Sequence, residues 1–154
     1  MELKRGDTVP NFKLESDSGG HISPASLKGR PFVIYFYPKD NTPGCTREAV
    51  DFSKNIKKFE KLGVVVVGVS KDDPASHARF RAKHALKVAL ASDPDIATAT
   101  AFGVWGEKSL YGRKFMGMER STFLVDAKGK IRGIWRKVRV PGHVEAVLEA
   151  AKAL

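Results

Sequence analysis

The chain has 154 residues, 42 % of them hydrophobic and 29 % charged, which suits one domain with a sizeable core and is too apolar for a disordered segment. Lysine and arginine number 27 against 17 acidic residues, and the resulting net charge of +10 raises nucleic acid or an acidic partner as a question. The longest apolar stretch, Gly63 to Val69, falls far short of the roughly 20 residues that span a bilayer.

The N-terminal segment Met1-Glu2-Leu3-Lys4-Arg5-Gly6 starts basic but has no apolar segment or small-residue cleavage site behind it, so a cytoplasmic location is expected. Phe32 to Tyr37 is a short β-rich run bounded by Pro31 and Pro38, as in a strand buried on both faces. Helical periodicity follows from Pro43 to Leu62, with Gly63 as its C-terminal stop, and Val64 to Val69 forms a second buried strand. Strand, helix and strand make a βαβ unit with parallel strands. Asp72 or Asp73 can cap a helix from Pro74 to His84, and a shorter helix follows Asp93-Pro94. Arg120 to Val125 alternates in character, Asp126 to Gly129 is turn-like and Lys130 to Val138 is extended, which together predict a β-hairpin. A last helix starts near Pro141. The order predicts an α/β chain of thioredoxin-like fold, a single domain over residues 1–154, with a mixed sheet, helices on both faces and an N-terminal extension.

The basic residues fall in two clusters. Lys54, Lys57, Lys58 and Lys61 lie opposite Ala49, Phe52, Ile56 and Phe59, the solvated face of an amphipathic helix. Lys130, Arg132, Arg136, Lys137 and Arg139 lie on the predicted hairpin, and neither cluster comes with a nucleic-acid motif. His21, His77, His84 and His143 are scattered without metal-ligand spacing. Trp105, Tyr111, Phe115, Met116 and Met118 form an apolar cluster that reads as packing before it reads as a substrate mouth or subunit contact. Gly103, Gly106, Gly112 and Gly117 have no phosphate-loop spacing.

A single cysteine, Cys45, excludes an internal disulfide. It is either an inert buried hydrophobe or a reactive thiol, and its neighbours decide between them. Tyr37 to Thr46 joins the end of a buried strand to a helix start, where sites form in open α/β sheets. Thr42 suits the N-cap and Pro43 the first helical position, so Cys45 is the third helical residue, beside amides that lack intrahelical acceptors. The helix dipole there favours thiolate over thiol. A thiolate that attacks a peroxide oxygen needs a cation, a hydroxyl to orient the peroxide and apolar shielding. Thr42 can supply the hydroxyl, Pro38 the shield and an arginine the charge, although spacing alone does not choose the arginine.

Tyr35 to Thr46, with Glu48, Ala49, Asp51 and Phe52, resembles the active-site segment of peroxiredoxins, especially the peroxiredoxin Q or bacterioferritin comigratory group. The family's Pro, three residues, Thr, two residues, Cys pattern is met by Pro38, Thr42 and Cys45, and the similarity extends through Phe102 to Lys108, Tyr111-Gly112, Met116-Gly117 and Glu119 to Asp126. The resemblance implies a thiol peroxidase with Cys45 as the peroxidatic cysteine, Thr42 as the peroxide-positioning hydroxyl, Pro38 as the shield and Arg120 as the cation. It implies hydrogen peroxide, and organic hydroperoxides beside it, as substrates, with no organic or metal cofactor. The competing reading is a non-catalytic thioredoxin-like module such as a redox sensor. A dithiol oxidoreductase lacks its second cysteine.

The chain departs from its relatives at Val50, where many members carry a resolving cysteine, and it has none in the following helix either. Its sulfenic acid is therefore expected to be recycled by an external thiol: thioredoxin, glutaredoxin, a small thiol or Cys45 of another copy. Neither nucleic acid nor membrane is expected as a partner, and the assembly is expected to be a monomer or weak homodimer.

Overall fold

The computed structural model describes residues 2–27 and 29–154; Met1, part of the basic N-terminal segment, and Lys28 lie outside the described residues. In chain order the elements are β1 (Leu14–Ser16), β2 (His21–Ile22), β3 (Phe32–Phe36), α1 (Pro43–Lys54), α2 (Ile56–Lys61), β4 (Val65–Ser70) and α3 (Pro74–His84). There follow β5 (Ala89–Ser92), α4 (Ala97–Ala101), β6 (Trp105–Leu110), β7 (Arg113–Met118), β8 (Ser121–Val125), β9 (Ile131–Trp135) and α5 (His143–Lys152). Seven strands form one mixed sheet in the order β2-β1-β5-β4-β3-β8-β9, while β6 and β7 pair only with each other.

The centre of the sheet is β3, parallel to β4 and antiparallel to β8, and all five of its residues are buried. Strand alternation sends them to two cores. Val33 and Tyr35 join Phe52, Phe59, Phe80, Val144, Val147 and Leu148 under α1, α2, α3 and α5. Phe32, Ile34 and Phe36 join Phe12, Leu14, Ala99, Phe102 and Phe123 on the other face, covered by the N-terminal segment, α4 and the base of the β6–β7 hairpin. Helices thus cover both faces of the expected thioredoxin-like α/β sheet, four on one side and the five-residue α4 on the other.

Several boundaries differ from the sequence reading. The predicted helix from Pro43 to Leu62 is two helices broken at Asn55, whose Nδ2 donates to the Asp51 carbonyl at 2.9 Å in place of the helical amide. Gly63 stops the second one as expected: it adopts φ +73°, its amide donates to Glu60, and Val64 donates back to Phe59. Asp73, not Asp72, caps α3, accepting from the Ser76 amide at 2.8 Å. Strand β8 does not alternate; all five residues are buried because it lies between β3 and β9 with a core on each face. Strand β9 ends at Trp135, short of Val138, and Lys137 turns the chain with φ +48°.

The apolar cluster around the β6–β7 hairpin packs only at its base, where Met118 is buried and Lys71 lies 5.2 Å over the Trp105 ring. Tyr111, Phe115 and Met116 are 96 %, 45 % and 57 % exposed, because a ribbon without a third strand projects beyond both cores. Among the described residues no helix is long and apolar enough to cross a membrane.

Gly68 of β4 faces Tyr35 of β3 in register, and a Cβ there would lie 2.7 Å from the phenol ring. Neither residue has room to retreat between buried strands. Gly68→Ala should therefore cost about 1 to 3 kcal/mol of folding stability by overpacking. Urea unfolding measures this, and an unchanged midpoint would show that Tyr35 relocates freely.

Candidate active site

The site forms where β3 gives way to α1. Tyr37 extends the sheet by one bond, its amide donating to Val69, and the chain then leaves the core through exposed Pro38 and Lys39. Asp40 turns back inside. Its carboxylate accepts from Tyr37 Oη at 2.7 Å and Ser76 Oγ at 2.8 Å and lies 2.8 Å from His77 Nδ1, while its amide donates to Asp72 Oδ2 at 2.8 Å. Burial alone would raise the Asp40 carboxyl, but the bonds to His77, Tyr37 and Ser76 outweigh it and hold the group below the usual carboxylate range. The loop is therefore fastened to α3, and through His77 Nε2, 3.0 Å from the Ala91 carbonyl, to β5.

Thr42 occupies the N-cap with extended backbone, and Pro43 opens α1 as expected. The Thr42 side chain does not cap the helix; its hydroxyl donates to the Lys39 carbonyl at 2.8 Å. Two consequences follow. The Gly44 and Cys45 amides find no acceptor among the described residues, and the Thr42 oxygen keeps lone pairs with which to receive an O–H.

Cys45 is the third residue of α1 and is 1 % exposed. Arg120, between β7 and β8, donates from Nη2 to its Sγ at 3.2 Å and from Nη1 to Glu48 Oε1 at 2.8 Å. Arg120 is held from both sides of the backbone: the Glu119 amide donates to Val104 and the Val138 amide to the Arg120 carbonyl. The guanidinium passes so close to Gly44 that a Cβ there would sit 3.2 Å from Nη2. Among the four residues singled out from the sequence, Cys45 and Arg120 are thus in contact, Thr42 is at the mouth of the helix, and Pro38 lies on the exposed side of the loop.

Spacing alone did not identify Glu48, His143 and Thr122. Glu48 is fully buried, and burial raises its carboxyl to about 7 although Arg120 pulls it down. His143 opens α5 with Nε2 2.8 Å from Thr122 Oγ1 and 3.8 Å from Glu48 Oε2. Burial, reinforced by Arg120, lowers His143 to about 4. Tyr35 lies beneath the site with its hydroxyl unpartnered among the described residues, and burial pushes that hydroxyl well above its ordinary range. One signal for Glu48 was present: positions 45, 48, 49 and 52 make one helical stripe, and a carboxylate among Cys, Ala and Phe requires a buried cation. Among the described residues no three His, Cys, Asp or Glu side chains gather in a metal-binding group.

The chain that brings this thiol, guanidinium fork and free helix-terminal amides together matches a known family model, AhpC/TSA, over residues 5–134. The chain belongs to the AhpC/TSA family. It is similar to peroxiredoxin Bcp of Bacillus subtilis, 42 % identical over 152 residues, covering 99 % of this chain and 97 % of that one. A solved structure of Xanthomonas campestris bacterioferritin comigratory protein, described for its alkyl peroxide reduction activity, superposes with a TM-score of 0.88 at 44 % identity, over 92 % of this chain and 90 % of that one. A cysteine mutant of Xylella fastidiosa PrxQ gives a TM-score of 0.93 at 38 % identity, over 99 % and 98 %. The AhpC/TSA chain described here is a thiol peroxidase of the peroxiredoxin Bcp or Q group, with a peroxide substrate and a thiol reductant.

Glu48 and His143 give stability opposite pH dependences. The Glu48 carboxyl sits at about 7 when folded against an ordinary 4.5, so stability is full below 4.5 and is lost as pH rises through about 7. His143, at about 4 against an ordinary 6.5, contributes stability above 6.5 that is lost as pH falls through about 4. Glu48→Gln removes the first slope. Its unfolding free energy should then fall more steeply than the parent's on acidification from 6.5 towards 4, because the histidine slope stands alone. Urea titrations at several pH values measure both curves, and parallel curves would show that Glu48 does not titrate in that window.

Proposed function

We propose that Cys45 is the peroxidatic residue, that Arg120 is the cation of the reaction, that Thr42 orients the peroxide, and that Pro38 shields the site. The carrying observation is the 3.2 Å hydrogen bond from Arg120 Nη2 to Cys45 Sγ at an uncapped helix N-terminus. Such a bond strengthens when the sulfur carries negative charge. The thiolate attacks the terminal oxygen of H–O–O–R: the S–O bond forms, the O–O bond breaks, sulfur is oxidised and RO⁻ leaves to take up a proton. The sulfur is left as a sulfenic acid. Since the Thr42 hydroxyl already donates to Lys39, it meets the peroxide as an acceptor of the O–H, which turns the electrophilic oxygen towards sulfur. The Gly44 and Cys45 amides and Arg120 face the charge that grows on the leaving oxygen. Hydrogen peroxide fits this scheme, and alkyl hydroperoxides are supported as substrates by the activity described for the Xanthomonas campestris relative.

The chain holds no second thiol, so reduction comes from outside. One external thiol condenses with the sulfenic acid, releasing water and leaving a mixed disulfide; a second thiol displaces Cys45. Thioredoxin, glutaredoxin and small thiols are the proposed donors, and the working unit is a monomer or weak homodimer, one domain throughout, in the cytoplasm, where a lone thiol stays reduced. At 1 % exposure Cys45 cannot meet a protein thiol until the first turn of α1 opens. The Asp40 loop is fastened to α3, so the opening falls to the helix turn.

Cys45→Ser should abolish peroxide consumption and keep the fold, since serine is nearly isosteric and no alternative thiol exists. Mass spectrometry of the parent after one equivalent of peroxide should show an added oxygen on Cys45. Peroxide consumption by Cys45→Ser near the parent's rate would end this reading. Arg120→Lys should lower the second-order rate constant with hydrogen peroxide roughly tenfold or more with little change in stability, because an ammonium cannot hold Sγ and Glu48 with one planar fork. An unchanged rate constant would move the charge role to the helix terminus.

A further inference from the structure

Behind Arg120 a carboxylate is only half satisfied. Glu48 Oε1 receives Arg120 Nη1, but Oε2 is buried and has no hydrogen-bond partner among the described residues. The imidazole of His143 stands 3.8 Å from it, with Nε2 also 2.8 Å from Thr122 Oγ1. The ring is wedged edge-on against Phe52 and Trp135, with centroids 6.2 and 6.0 Å away, so it cannot swing off the carboxylate without disturbing the core. A neutral imidazole can donate from Nε2 or accept there, depending on its tautomer. It can therefore serve Oε2 whether the carboxyl is ionised or protonated, once a shift of about 1 Å closes the present 3.8 Å to hydrogen-bond distance.

The groups that face this pair are few. Cys45, Glu48 and Asp51 come from α1, Tyr35 from β3, Arg120 from the turn before β8, Thr122 from β8 and Glu145 from α5. One guanidinium thus serves two groups that can become anions, Cys45 and Glu48. Resting on the peroxidase reading above, we propose that His143 is a positioning residue: its Nε2, shared between Thr122 and Glu48, holds the buried carboxylate that turns the Arg120 fork onto Cys45. Without that nitrogen the half-satisfied carboxylate takes up a proton more readily. A neutral carboxyl is a weak acceptor for Nη1, and the guanidinium is then free to leave the sulfur.

The test is the second-order rate constant of Cys45 oxidation by hydrogen peroxide, followed by stopped flow across the pH range around 7, where Glu48 titrates. His143→Leu should lower the rate constant roughly tenfold at neutral pH and move the limb of the profile that belongs to Glu48 to higher pH. His143→Gln, which keeps a donor near Nε2, should recover most of the loss. In a Glu48→Gln background, His143→Leu should have no further effect on the rate. A His143→Leu variant with the parent's rate and profile would overturn the proposal, as would additive losses in the double variant. If His143→Leu does not fold, nitrogen NMR of the parent decides: the His143 tautomer should change as Glu48 titrates, and a constant tautomer would overturn the proposal. Failure here alongside a slowed Arg120→Lys leaves the peroxidase reading intact; an unaffected Arg120→Lys removes the ground for the His143 proposal and moves the charge role to the helix terminus, while peroxide consumption by Cys45→Ser near the parent's rate removes the ground for both.

Discussion

One guanidinium divided between a sulfur and a carboxylate organises this protein. Arg120 reaches Cys45 and Glu48 at 3.2 and 2.8 Å, and both partners are buried on the inner face of one helix. Taking a carboxylate out of water is costly unless it is paired and hydrogen-bonded, so Glu48 constrains the arginine as firmly as the arginine constrains Glu48. The cysteine shares in that arrangement. It receives a donor whose direction was set by a neighbour three residues along the same helix.

Everything that delivers Arg120 to this point is tertiary. Strand β8 inserts between β3 and β9, bringing residue 120 against a helix that begins at residue 43. The backbone on either side is tied by bonds from Glu119 to Val104 and from Val138 to Arg120 itself. Gly44 leaves the space through which the guanidinium passes, and Pro43 beside it presets the first helical turn without an amide to satisfy. The side of the sheet that carries this machinery is also the side with four helices, whose aromatic core stacks Tyr35 on Phe52 at 4.6 Å directly beneath the cysteine stripe.

Rigidity and mobility are distributed unevenly around the thiol. The loop before α1 is held by a buried Asp40 bonded to Tyr37, Ser76 and His77, and by Asp72 on its amide. The first turn of α1, in contrast, has no side-chain cap and two idle amides. A peroxide is small enough to exploit those amides where they stand. A protein thiol needs the turn to open, and an uncapped terminus is where a helix frays at least cost. On the proposed mechanism the same lack of a cap serves both halves of a thiol peroxidase cycle.

Local physics made much of this legible in the sequence. The apolar runs of β3 and β4, the Pro43 start of α1, an aspartate cap on α3 at position 72 or 73, the Gly63 stop, and the position of Cys45 in a first helical turn all follow from short-range rules of propensity and capping. The short strands β1, β2 and β5 and the β6–β7 ribbon were not legible, because two to six residues without alternation form strands only when a neighbour supplies the hydrogen bonds. The break at Asn55 also escaped, since the periodicity on either side of it is uninterrupted and one side-chain amide makes the difference. At the site, residue types and spacing named Cys45, Thr42 and Pro38, and resemblance to a family was needed to choose Arg120. Glu48 and Thr122 lay inside the segments that carry the family resemblance but were given no role there, Glu48 was also visible as a charge in an apolar stripe, and His143 was one of four scattered histidines. Thr122 and His143 meet across 21 residues of sequence through the packing of α5 on β8, and the chemistry of a buried carboxylate depends on who stands within 4 Å of it, which only the folded chain decides.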